Sequence, residues 1–412
     1  MRKFIILAAF TIYASTLFAQ TSDQTGIDFF EGTWKQLLKE ANEQDKLIFV
    51  DVYTDWCGPC KYMDQQIFSK PAVGDLYNEQ FVNIRIDAEK GEGVDIAKRF
   101  GVTAYPTFLF LNAEGYLIHK VVGEKDEAPF LSLVSDALGA AEDPNNLGNL
   151  EKDFAQGNRA VDFLKTYLDR LTKARIDNNE VLDAYFKTLS PAQLNEDSTW
   201  IYLGKNIIGI NSAVLLRFME HYDKMQDSSK SQLTGHLFDI LVYSGAGQAL
   251  HQKNLLTYTP LMEFSSRLYG LNDRQKHTLD RYQLIHSTLL GDAEKIKKYG
   301  YSIATPSMDI SVDSIQREDQ RRFEEEMRPF TTGEQDSTKI VDFQEGKEFA
   351  KKIYSGEVVD KLYTAADAFS QLPDNEQDAL HDALRWAERS AALYPKRAVV
   401  AELVEKIKAK IN

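Results

Sequence analysis

The stretch Asp51-Val52-Tyr53-Thr54-Asp55-Trp56-Cys57-Gly58-Pro59-Cys60-Lys61 decides how the rest of the chain is read. Just upstream, Leu47-Ile48-Phe49-Val50-Asp51-Val52-Tyr53 is almost continuously apolar, as expected of a strand buried on both faces. Downstream, Met63, Ile67 and Phe68 are spaced for burial along a helix from Cys57 to about Ser69. A strand leading in and a helix leading out put Cys57 at a helix N-terminus, where free amides and the macrodipole favour a negative sulfur. The thiolate is the reactive form in disulfide exchange, and this setting lowers the pKa of a first cysteine to roughly 7 or below. Cys60, one turn further, is within bonding distance and can attack a mixed disulfide formed on Cys57.

These are the only 2 cysteines among 412 residues, so no disulfide framework staples the chain. A structural zinc site needs four ligands, and there is no second cysteine pair and no nearby histidine. Covalent haem attachment needs histidine after the second cysteine, where Lys61 stands. A purely structural disulfide over so short a loop would constrain little chain. Redox exchange is the reading that uses both thiols. No metal or cofactor is expected: His119, His221, His236, His251, His277, His286 and His381 show no ligand spacing, and no phosphate-cradling or GxSxG motif occurs.

Around this motif, helices and strands alternate from about Gly26 to Ala141. Thr33 caps a helix to about Asn42, and Phe81–Asp87 is a second strand. Val94–Phe100 reads as a short helix. Thr107–Leu111 and Tyr116–Val122 form a hairpin around Asn112-Ala113-Glu114-Gly115, and a last helix spans Ala128–Leu138. The order is αβαβαββα, a small mixed sheet with helices on both faces. After a Pro- and Asn-containing join at Glu142–Gly148 the pattern is helical only, near 160–172, 178–189, 212–226, 231–244, 272–298, 345–371 and 376–410. Ala383–Pro395 carries small residues at helical spacing and resembles the second helix of a tetratricopeptide repeat.

The formal charge of −14 argues against nucleic-acid binding, which needs a basic surface. At the N-terminus, Met1-Arg2-Lys3, the apolar run Phe4–Phe18 and Ala19-Gln20 have the form of a secretory signal peptide, too short to span a bilayer. With no cysteine near the cut, lipid attachment is not expected. The reading is an exported, soluble periplasmic protein with no membrane span after signal removal.

Trp56-Cys57-Gly58-Pro59-Cys60-Lys61 behind an apolar strand, with Tyr105-Pro106-Thr107 before a later one, resembles the thioredoxin family over about residues 28–140. Details also resemble the C-terminal domain of envelope disulfide reductases, where an acid follows the second cysteine by four positions, as Asp64 does here. The resemblance implies an α/β thioredoxin fold, a central mixed sheet flanked by helices; the helical pattern that follows reads as an all-α region, tetratricopeptide-like or irregular. Domain limits would be 1–19 (signal), 20–143 and 144–412. It also implies roles: Cys57 the nucleophile, Cys60 the resolving thiol, and Asp51 a buried acid exchanging protons with Cys60. The alternative for Asp51 is a satisfied structural carboxylate. Pro106 matches the family's cis proline, with Tyr105 and Gly123 lining the substrate groove beside Gly58 and Pro59. Trp56 would be part core, part substrate platform. Two departures stand out: the lysine usually opposite the buried acid falls at Asn83, and Tyr105 is bulkier than the usual aliphatic residue.

The function expected is an exported thiol–disulfide oxidoreductase that reduces client-protein disulfides, with a membrane thiol relay as electron donor. The alternative is a helical interaction scaffold of the cell envelope with a secondary redox module.

Overall fold

The computed structural model describes residues 26–340, 342–395 and 397–411; the expected signal peptide, residues 1–19, lies outside them. Two compact units are present. Of the described residues, one holds those from Gly26 to Val94 and Ala104–Asp143; the other holds Asp95–Thr103 and those from Pro144 onward.

In the first unit, α1 (Trp34–Gln44) starts at Thr33, whose hydroxyl and Gln36 form a reciprocal capping box. β1 (Leu47–Tyr53) follows, buried along its five central residues. The expected single helix after Cys57 is a short α2 (Gly58–Tyr62) that widens into a π-helical turn over Met63–Phe68. A further helix, α3 (Pro71–Gln80), was not anticipated, although proline at its first position is a start signal. Along the chain then come β2 (Phe81–Asp87), α4 (Gly93–Arg99), most of which falls in the second unit, and, back in the first, β3 (Thr107–Leu111), β4 (Leu117–Val122) and α5 (Glu127–Glu142). The sheet order is β2-β1-β3-β4, with β1 parallel to β2 and antiparallel to β3.

Phe49 on β1 centres an aromatic core, with ring centroids 4.9 Å from Tyr77, 5.3 Å from Phe110 and 5.9 Å from Phe130. Each such fully buried ring contributes about 2 kcal/mol from area alone. Tyr77 stacks on Phe130 at 4.6 Å, and its hydroxyl donates to the Phe130 carbonyl at 2.8 Å. At Gly74 a Cβ would lie 2.1 Å from the carbonyl oxygen of Gly26, so only glycine lets these backbones approach. The Gly26–Phe30 segment runs beside β2: Phe29 bridges Asn83, and the Phe30 amide donates to the Asn83 carbonyl.

The second unit is helical apart from its connections, with no strand among its described residues. One core gathers Leu203, Phe218, Phe238 and Phe264, and another Leu284, Leu362, Phe369 and Trp386. Several long helices expected from sequence are broken. The 272–298 stretch is two helices, Asp273–Leu290 and Ala293–Met308, separated by Gly291 at φ +67° and by Asp292, which caps the second. The 345–371 and 376–410 stretches also divide, the latter around Pro395. Helices at Leu147–Ala155, Asp197–Asn206, Leu255–Ser265 and Val312–Thr331 went unread. Val312–Thr331 is dense in charge and buries only Ile315, Asp319 and Met327, which left its apolar periodicity faint. Gln377–Leu393 buries Ala379, Ala383 and Ala387 and packs against both Ile353–Phe369 and Ala398–Lys408.

Candidate active site

β1 ends at Tyr53, and the chain turns through Thr54–Trp56 into α2, with the Cys57 amide donating to the Thr54 carbonyl. Cys57 is the N-cap: its Sγ accepts the Cys60 amide hydrogen at 3.1 Å, because an N-cap side chain faces the free amides of the first turn. Cys57 and Cys60 are joined by a disulfide, their Cα atoms 5.3 Å apart. Both are buried, while Trp56 and Pro59 beside them are exposed and Gly58 is half-buried. The pair therefore lies just under the surface, flanked by side chains a partner can touch.

Trp56 departs from the expected half-core position. It is 66% exposed, with its indole N–H donating to the Glu89 carboxylate at 3.1 Å and its ring edge-on to Tyr105 at 5.9 Å. Tyr105 is half-buried; burial, and then the charges of Glu89 and Asp87, raise its phenol pKa. The Tyr105–Pro106 peptide bond is cis. Pro106 is buried, and its carbonyl accepts the Gly123 amide hydrogen at 2.8 Å, extending the β3–β4 pairing by one residue. Trp56, Tyr105, Pro106 and Gly123 are thus linked in sequence by ring contact, peptide bond and hydrogen bond.

Asp51 sits on β1 with no exposed surface. Burial pushes its carboxyl up to about 6, against the opposing pull of Arg85. The expectation that Asn83 faces this acid is overturned by the strand register, which pairs Asn83 with Phe49 and Asp51 with Arg85. Asn83 instead donates to the Asp28 carbonyl and to Asn78 Oδ1. Arg85 Nε donates to Asp51 Oδ2 at 3.0 Å, and its Nη1 donates to Asp64 Oδ1 at 2.7 Å. Sequence reasoning missed Arg85, yet the signal was present: β1 and β2 are parallel runs starting at Leu47 and Phe81, and four steps along each reach Asp51 and Arg85. Among the described residues no group of three or more His, Cys, Asp or Glu side chains converges as metal ligands.

A parallel–antiparallel sheet, a disulfide-bonded Cys-Gly-Pro-Cys turn opening a helix, and a buried acid on the strand before it define a thioredoxin-fold thiol–disulfide oxidoreductase. A family model for a thioredoxin-like domain matches residues 34–138. Thioredoxin H1 of Arabidopsis thaliana is 36% identical over 95 residues, 23% of this chain and 77% of that protein. Thiol:disulfide interchange protein DsbD of Pseudomonas sp. (strain JR1 / K1) is 29% identical over 97 residues, 23% of this chain but only 17% of that protein. A solved structure of a putative disulphide-isomerase from Bacteroides thetaiotaomicron shares 43% identity over 28% of this chain and 97% of its own, with a TM-score of 0.27. Through this domain the chain belongs to the thioredoxin family.

Proposed function

We propose that the protein is an exported, periplasmic oxidoreductase that reduces disulfides in client proteins by cycling Cys57 and Cys60 between dithiol and disulfide. The observation that carries this reading is the Cys57 sulfur accepting a hydrogen bond from the Cys60 amide at the start of α2. The same amide can stabilise a Cys57 thiolate. Cys57 attacks the client disulfide, and the client remains bound through a mixed disulfide. Cys60 then attacks Cys57, releasing the reduced client. Asp51, with a carboxyl that ionises near neutral pH, accepts the Cys60 proton directly or through one water. Trp56, Gly58, Pro59, Tyr105, Pro106 and Gly123 form the docking surface.

In this reading residues 1–19 direct export, 20–143 carry the chemistry, and 144–412 form a tetratricopeptide-like helical region that selects clients. Electrons come from a membrane thiol relay. No described helix is long and apolar enough to cross a membrane, which is compatible with this placement. The test is trapping in the cell envelope with Cys60→Ser. Covalent Cys57–client adducts, absent in the Cys57→Ser variant, are expected together with insulin reduction by the wild-type protein. Neither adducts nor turnover would leave the helical scaffold as the better account.

A further inference from the structure

We propose that Arg85 is a positioning residue for the resolving step: it pins one oxygen of Asp51 and leaves the other to take the Cys60 proton, while Asp64 draws on the same guanidinium from the solvent side. This rests on the reading of Cys57 and Cys60 given above. Four observations carry it.

First, Arg85 Nε holds Asp51 Oδ2 at 3.0 Å, whereas Oδ1 is buried without a hydrogen-bond partner. A buried carboxylate oxygen left unpaired is costly, and protonation relieves that cost. Second, Nη1 of the same guanidinium holds Asp64 at 2.7 Å, so one rigid fork joins a buried carboxylate to one that is half exposed. Third, the guanidinium carbon lies 4.6 Å from the Tyr53 ring centroid, 5.6 Å from that of Phe29 and 5.8 Å from that of Phe68. These rings restrict where the cation can go. Fourth, the charged groups acting on Asp51 are Arg85 from β2 and Asp64 from the π-helical turn, while its neighbour across β3 is the uncharged Phe108. The cation favours ionised Asp51 and Asp64 opposes it, so the two set the acid's working range from opposite directions.

The Cys60 thiol gives its proton to Asp51 Oδ1, and the Cys60 sulfur attacks Cys57 in the mixed disulfide. The Cys57–Cys60 bond forms, the bond to the client breaks, and the client sulfur leaves with the electron pair and is protonated from solvent. The two enzyme thiols are oxidised as the client disulfide is reduced.

The experiment uses the full chain with Arg85→Gln, Arg85→Lys and Asp64→Asn. Carboxyl-carbon NMR of the oxidised protein follows Asp51 while neither cysteine titrates. Single-turnover release of a peptide from Cys57 is measured against pH in parallel. Arg85→Gln should move the Asp51 titration alkaline by about 1 pH unit or more, and Asp64→Asn should move it to the acid side. Release should follow in the same directions. Arg85→Lys keeps the charge but cannot hold both carboxylates, so it should restore only part of the wild-type profile. Should Arg85→Gln fail to fold, Asp64→Asn, altered at a half-exposed site, still carries the test. If the wild type reduces insulin and the Asp64→Asn profiles superimpose on its own, the positioning role is wrong and the oxidoreductase reading stands. Wild-type protein without turnover overturns both.

Discussion

Asp51→Asn should make the thioredoxin-like unit more stable at pH 8 and leave it nearly unchanged at pH 4. Asp51 ionises near pH 6 in the folded protein, because burial outweighs the attraction of Arg85, and near pH 4 in an unfolded chain. Between these values the native state holds a proton that the unfolded chain has released, so stability falls as pH rises through that window. A difference of about 2 pH units corresponds to ~3 kcal/mol, lost in full above pH 7. Asparagine has the shape of the neutral acid and cannot ionise, so it escapes this loss. Loss of the Arg85 ion pair is already contained in the comparison, since the neutral acid also lacks it. The assay is urea unfolding of the oxidised full-length protein, followed by hydrogen exchange of the peptide covering β1 so that the helical unit does not contribute. The wild type should lose ~3 kcal/mol relative to Asp51→Asn between pH 4 and pH 8. Parallel pH dependences, or a variant weaker than wild type at pH 8, would refute the assignment of Asp51 as an acid strained by burial.

Other outcomes follow from contacts elsewhere. Gly74→Ala forces a Cβ to within 2.1 Å of the Gly26 carbonyl and should cost about 1–3 kcal/mol, read as a lower unfolding midpoint of the first unit. Asp319→Ala removes the carboxylate that accepts the Tyr354 and Ser355 amides at the start of the Ile353–Phe369 helix. It should destabilise the helical unit by about 1–3 kcal/mol, visible in thermal melts by circular dichroism, with the Cys57 alkylation rate unchanged. Trp56→Ala should raise KM for insulin more than it lowers kcat, since the indole is exposed and bonded only at the rim, to Glu89.

Much of the first unit was legible because its strands are short apolar runs with clear ends. Leu47–Tyr53, Phe81–Asp87 and Thr107–Leu111 were each read at the bounds the structure has. The Cys57–Cys60 pair was legible too, since the thiol spacing and the strand-to-helix transition are both written in the chain. Arg85 was not, because its role depends on which residues of β1 and β2 stand opposite each other, a three-dimensional fact that residue-by-residue likeness assigned to Asn83. Exposure of Trp56 was equally hidden: an indole in the turn between β1 and α2 can face inward or outward, and the Glu89 carboxylate that holds it lies 33 residues away. In the helical unit, Gly291 and Pro395 were visible as breakers but were read through. Val312–Thr331 was lost because its buried face is too narrow to mark a period.

The Gly26–Phe30 segment has a further consequence. It occupies the outer rim of β2 with Phe29 and Phe30, shielding donors and acceptors that could otherwise recruit a second molecule. A fragment begun at Glu31 would keep every catalytic candidate and still present a naked strand, so self-association would compete with its chemistry. Material prepared for kinetics should therefore retain Gly26–Phe30.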